Sequence, residues 1–214
     1  MTRRPQKRRP YPRTLLTFVL TQGGLRRVKN LLVVYDHAVK THPDDPSAPA
    51  SDVLRAAVVL LHATLEEFVR YVAGSALPIV GQDALNDIPL VGAERKATRV
   101  GLGAWAIHRG KQVDQVLAES VRAHLVEKSF SSLASVLSTL QASGIPTRRL
   151  RIRRATLDRL IRRRHQIVHE ADVLRGGSLG ARPPRALSRS QLTRWLHAVE
   201  RFINDVDRLW TVGR

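Results

Sequence analysis

The stretch Arg162-Arg163-Arg164-His165-Gln166-Ile167-Val168-His169-Glu170-Ala171-Asp172 gathers the residue types in this chain best suited to chemistry. His169 follows Arg164 by five positions, and a polar residue, His165, stands directly behind that arginine. Arginine presents fixed, paired donors that match the oxygens of a phosphate. Histidine gives and takes protons near neutral pH. In a chain this basic, the pairing points to chemistry on RNA.

The element carrying these residues reads as a helix from about Thr156 to Leu174. At about 100° per residue, Leu157, Leu160, Ile161, Val168 and Ala171 share one apolar face, with Arg164 in its middle. A charge in that position must be paired or must line a cleft. A second line runs Asp158, Arg162, His165, His169, Asp172, alternating steps of four and three. Such a line is either a solvated polar stripe or the wall of a cleft or self-associating interface. His169 lies roughly 140° from Arg164 on an ideal helix. The two meet one ligand if the helix end is irregular, if Arg164 extends along its stem, or if two copies face each other. His165 and His169 also have the i, i+4 spacing of a zinc clasp, with Glu66 or Glu67 as an oxygen donor. The motif lacks the glutamate of His-Glu-x-x-His, however, and three adjacent arginines repel a cation, so no metal is expected.

The rest of the chain defines what can hold this helix in place. With 36 Lys and Arg against 18 Asp and Glu in 214 residues, the formal net charge is +18. That excess selects anionic partners, nucleic acid before membrane. Cys is absent, which excludes disulfides, thiolate metal sites and a thiol nucleophile, and fits a reducing cytoplasm. No apolar run approaches the roughly 20 residues that span a bilayer. Leu15-Leu16-Thr17-Phe18-Val19-Leu20 after a basic start imitates a secretion signal. The apolar core is short, however, and Thr21-Gln22-Gly23-Gly24 offers no small-x-small cleavage site. The expected location is therefore the cytoplasm.

Residues 1–13 read as a disordered basic arm, with Arg3, Arg4, Lys7, Arg8, Arg9 and Arg13 among three prolines and no acid. The arm is a solubilising tail or a phosphate-tracking segment. Residues 14–214 read as one domain. Leu25, Val28, Leu31, Leu32, Tyr35 and Val39 give helical spacing up to about Thr41, with Gly23-Gly24 expected to break or kink its start. A Pro-rich linker, His42 to Pro49, follows. Ser51 or Asp52 can cap a second helix running to about Ala73. That helix is apolar nearly all round and belongs at the centre of a bundle, with His62, Glu66, Glu67 and Arg70 as its polar exceptions. Residues 74–111 are loop-rich. Helices are expected at about 112–126 and 131–142, then the basic run Arg148, Arg149, Arg151, Arg153, Arg154, which is expected to bind RNA. Gly176 to Pro184 ends the motif helix. Ser188 and Gln191 form a capping box for the last helix, with Leu187 and Leu192 as its hydrophobic staple. No strand alternation, internal repeat or sustained heptad is present. The fold class is all-α.

Arg164-His165-x-x-x-His169 resembles the R-x4–6-H signature of HEPN domains, in its form with a polar residue after the arginine. Arg162 and Arg163 also satisfy the permitted spacing. Leu60-Leu61-His62-Ala63-Thr64-Leu65-Glu66-Glu67-Phe68 looks like the first core helix of that superfamily, in the branch found with RNA-ligase-like and phage-shock-type neighbours (RiboL-PSP-like). The closing helix, Leu192 to Trp210, is similar too. The resemblance implies a HEPN-like antiparallel helical bundle that dimerises and sets two motifs in a basic cleft. It implies a metal-independent endoribonuclease without cofactor, cutting tRNA or mRNA by 2′-OH attack to leave a 2′,3′-cyclic phosphate and a 5′-OH. It also implies service as a toxin or anti-phage effector, with an antitoxin or defence-system partner. In that reading His169 is the general base or acid, Arg164 holds the phosphate, and His165 supplements them. Glu66, Arg70 and Arg162 are possible supports. The alternative is a non-catalytic HEPN-like module that binds nucleic acid or a partner protein.

Overall fold

The computed structural model describes residues 15–41, 49–80, 82–93, 100–170, 172 and 185–212. The basic arm, the linker 42–48 and most of the 171–184 loop lie outside them. Seven α-helices are described, in chain order: α1 Leu15–Thr41, α2 Pro49–Ala76, α3 Leu102–Ala106, α4 Val113–Glu127, α5 Leu133–Ala142, α6 Arg154–His169 and α7 Arg189–Val212. Short 3-10 turns occur at Leu77–Ile79, Gln82–Ala84 and Thr147–Arg149. There is no strand among the described residues, and none of the described helices is long and apolar enough to cross a membrane.

Helix α2 is the axis of the fold, with α1, α4, α5, α6 and α7 all packing against it. Its sequence explains this: Leu54, Ala57, Val58, Leu61, Leu65, Phe68, Val69 and Val72 are all buried, leaving little of its circumference for water. Phe68 meets Phe202 of α7 edge-on, with ring centroids 6.5 Å apart. Leu157, Leu160 and Ile161 bring α6 into the same core, and Leu192, Leu196, Val199 and Val206 bring α7.

Several local expectations are corrected. α1 runs unbroken through Gly23-Gly24. Gly24 serves a close approach of helices, since a Cβ there would overlap Thr64 of α2, whereas a Cβ on Gly23 would meet open space. α2 begins at Pro49, so Ser51 and Asp52 are not caps but lie inside its first turns. Both instead contact Arg55, Asp52 at 3.3 Å. α6 ends at His169, not near Leu174, and Asp172 turns into a left-handed conformation with φ 57°. The box on α7 is formed: Ser188 N donates to Gln191 Oε1 at 2.9 Å, and Gln191 N donates to Ser188 Oγ at 3.2 Å. Leu187 and Leu192 both enter the core beside it.

Candidate functional site

The three consecutive arginines of α6 have three different fates, because successive residues point about 100° apart. Arg162 faces solvent and pairs with Asp158 one turn back, Nη2 to Oδ2 at 2.8 Å. Arg163 is the buried one, at 9% exposure. Its Nη2 donates to Asp172 Oδ2 at 2.9 Å and to the carbonyl of Arg185 at 2.8 Å. Arg55 of α2 reaches the same carboxylate oxygen through Nε at 2.6 Å and the same carbonyl through Nη2 at 3.2 Å. Asp172, 1% exposed, thus ties α2, α6 and the segment entering α7 into one clasp. Burial pulls the Arg163 guanidinium below its usual range, and the Asp172 charge opposes that. Asp172 does not extend the histidine line of α6. The helix stops before it and the carboxylate turns inward.

Arg164 is half-buried and makes no hydrogen bond or ion pair with another described residue. Its charge bears on His62 of α2, which is 1% exposed. Burial is the main force lowering the proton affinity of His62. Glu66 opposes it, Arg164 adds to it, the Phe130 backbone opposes it and Arg70 adds to it. His62 Nδ1 stands 3.8 Å from Glu66 Oε1, and neither ring nitrogen has a hydrogen-bonding partner of normal geometry. Glu66 Oε2 is 3.6 Å from Arg70 Nη1. Arg70 in turn donates to the carbonyls of Leu125 and Lys128 at the end of α4, at 3.2 and 3.3 Å, with its guanidinium 5.2 Å from the Phe130 ring centroid. Arg70 is therefore anchored in the fold.

His165 and His169 are exposed, with ring centroids 4.6 Å apart. Val168, expected on the apolar face, is 46% exposed. Within one chain, the arginine on the α2 side and the two solvent-facing histidines are not gathered into one pocket. Arg148, Arg149, Arg151, Arg153 and Arg154 are all exposed. They cluster before and at the start of α6, whose 16 residues separate them from His169 by about 23 Å of helix rise. The Arg151 backbone N–H is fixed by Asp205 Oδ2 at 2.8 Å.

No protein-family model, curated protein or solved structure matches this chain. Among the described residues, no three His, Cys, Asp or Glu side chains come together in a way that could hold a metal ion.

A groove of about 280 Å³ runs between α6 and the first turns of α7. Its α6 wall is Arg159, Arg162, Arg163 and Gln166, and its α7 wall is Gln191 and Trp195. The i, i+3, i+4, i+7 spacing on α6 was visible, but the facing wall lies across the loop, so only the three-dimensional arrangement defines it.

Proposed function

We propose that this protein is a metal-independent endoribonuclease of the HEPN type, with Arg164 as the phosphate-holding arginine. The observation that carries this is the division of labour in the triplet. Arg162 is paired with Asp158 and Arg163 is buried in the Asp172 clasp, while Arg164 is half-buried and unpaired among the described residues. A guanidinium held in place without a partner suits a developing phosphoryl charge.

In the proposed reaction, the 2′-oxygen attacks the adjacent phosphorus and the bond to the 5′-oxygen breaks. His169 takes the 2′-OH proton, and His165, with its ring alongside, returns a proton to the leaving 5′-oxygen. Because Arg164 and the histidines lie on differently exposed sides of α6, the complete site requires two copies whose α6 helices face each other. The basic run at Arg148–Arg154 would draw in the RNA backbone. By the same resemblance, the protein would act in the cytoplasm as a toxin or anti-phage effector, under an antitoxin or defence-system partner.

The same separation of Arg164 from His169 favours the second reading, a non-catalytic module that binds nucleic acid or a partner. Incubating wild type, His169→Ala and Arg164→Ala with tRNA and a labelled single strand in EDTA separates the two. Cleavage by wild type alone, leaving cyclic-phosphate ends, is the expected result. Salt-sensitive binding without cleavage by any of the three would overturn the nuclease reading.

A further inference from the structure

We propose that the groove between α6 and α7 is a binding site for one nucleotide unit, a phosphate joined to a planar heterocycle. Its lining supplies both halves of that ligand. Arg159, Arg162 and Arg163 bring three guanidinia to one wall: Arg162 is already held by Asp158 and Arg163 by Asp172 through one Nη2, and no carboxylate is among the described residues that line the groove. Arg159 has no ion pair with another described residue, and its Nε donates only to the Ala155 carbonyl one turn back, at 3.1 Å. Arg163 Nε is buried and lacks an acceptor. Behind it, the clasp sets the guanidinia of Arg55 and Arg163, with Arg185 close by, against the carboxylate of Asp172, and the exposed carboxylate of Asp52 reaches Arg55 at 3.3 Å from the other side. The floor of the groove is therefore left with positive charge that an anion would offset.

The remaining walls suit a base. Gln191 Oε1 already accepts from the Ser188 N–H and hydroxyl, so the free end of its side chain is the amide NH2, a pair of donors. The Gln166 amide has no partner among the described residues. Trp195, 8% exposed, gives the groove an aromatic surface. A volume of about 280 Å³ sits at the low end of small-molecule clefts, which fits a single nucleotide. The same chemistry is offered by a free mononucleotide and by one residue of a single strand. Neither Arg164 nor His169 lines the groove, so binding there is independent of whether RNA is cut.

The test is calorimetric titration with 5′-AMP, adenosine, inorganic phosphate and an oligo(A) hexamer. 5′-AMP is expected to bind at least about tenfold more tightly than adenosine or phosphate, since each lacks one half of the recognition. Arg159→Glu is expected to weaken 5′-AMP by about tenfold or more, with thermal unfolding unchanged because Arg159 is exposed. Arg122→Glu, on the exposed face of α4, controls for loss of general charge and should have little effect. Displacement of 5′-AMP by the hexamer assigns the site to a strand, and 5′-AMP binding undisturbed by the hexamer assigns it to a free nucleotide. Equal losses in both charge reversals, or phosphate binding as well as 5′-AMP, would overturn the proposal. So would the absence of 5′-AMP binding at millimolar concentration.

Discussion

Replacing Asp172 separates the buried arginine of the triplet from the one proposed to hold phosphate. Its carboxylate serves two guanidinia at 2.6 and 2.9 Å, with side chains 12% and 10% exposed for Arg55 and Arg163. Removing one member of a buried ion pair costs about 3–5 kcal/mol, mostly because the other charge stays buried. Alanine adds about 1 kcal/mol, since the backbone here is left-handed. Asp172→Ala should therefore lose about 4–6 kcal/mol, a large share of the roughly 5–15 kcal/mol that holds a domain together. Asn keeps an oxygen for the same donors and tolerates the backbone, so Asp172→Asn should lose only about 2–3 kcal/mol. Arg164→Ala, which breaks no bond, should change stability by less than about 1 kcal/mol. Urea unfolding of the three variants gives these values. A cycle with Arg163→Met should show coupling to Asp172 of about 1–3 kcal/mol. If Asp172→Ala falls within 1 kcal/mol of wild type, or if the cycle is additive, the clasp is not what fixes Arg163. The assignment of Arg164 as the free member of the triplet then loses its basis.

Three further outcomes are expected. His62 is held neutral by burial, so the unfolded chain takes up a proton that the folded chain refuses. The stability it contributes is present above the ordinary histidine range and is lost as pH falls below it, by at most about 1.4 kcal/mol per pH unit. The wild-type urea midpoint should therefore fall more steeply from pH 7 to pH 5 than that of His62→Gln, and parallel curves would contradict this. Gly24→Ala should cost about 1–3 kcal/mol through the overlap with Thr64, and Thr64→Ala should restore part of it in the double variant. Replacing Arg148, Arg149, Arg151, Arg153 and Arg154 by Gln should lower single-strand RNA affinity and flatten the salt dependence by up to about 0.7 per lost contact. An unchanged slope would remove this run from the interface.

Much of the scaffold was legible because it rests on local rules. The box at Ser188 and Gln191, the stripe of α7 and the all-round apolarity of α2 are patterns of a few residues, and each forms as the pattern dictates. Three features depended on distant partners. Helical spacing put Arg164 on the apolar face, but Arg163 is the more buried, because its counter-ion Asp172 lies past the helix end and is shared with Arg55, 117 positions away. Gly24 read as a break, because nothing nearby in sequence reveals Thr64 across the helix crossing. The groove needed Gln191 and Trp195 to be brought opposite Arg159 and Arg163. Local chemistry predicted the helices, while long-range pairing decided which side of α6 faces what.

The clasp also solves a problem of sequence degeneracy. A run of three identical side chains, Arg162-Arg163-Arg164, offers a fold three near-equivalent registers, each turning the helix by about 100°. Burial of Leu157, Leu160 and Ile161 excludes a slip that large, but leucine and isoleucine faces are tolerant of smaller rotations. A single carboxylate that must be met from one angle by Arg163 and from another by Arg55 is not. Asp172 therefore acts as an indexing pin: within the setting that the buried apolar face imposes, it restrains the remaining rotation of α6 and with it the heading of the residues from Arg159 to His169.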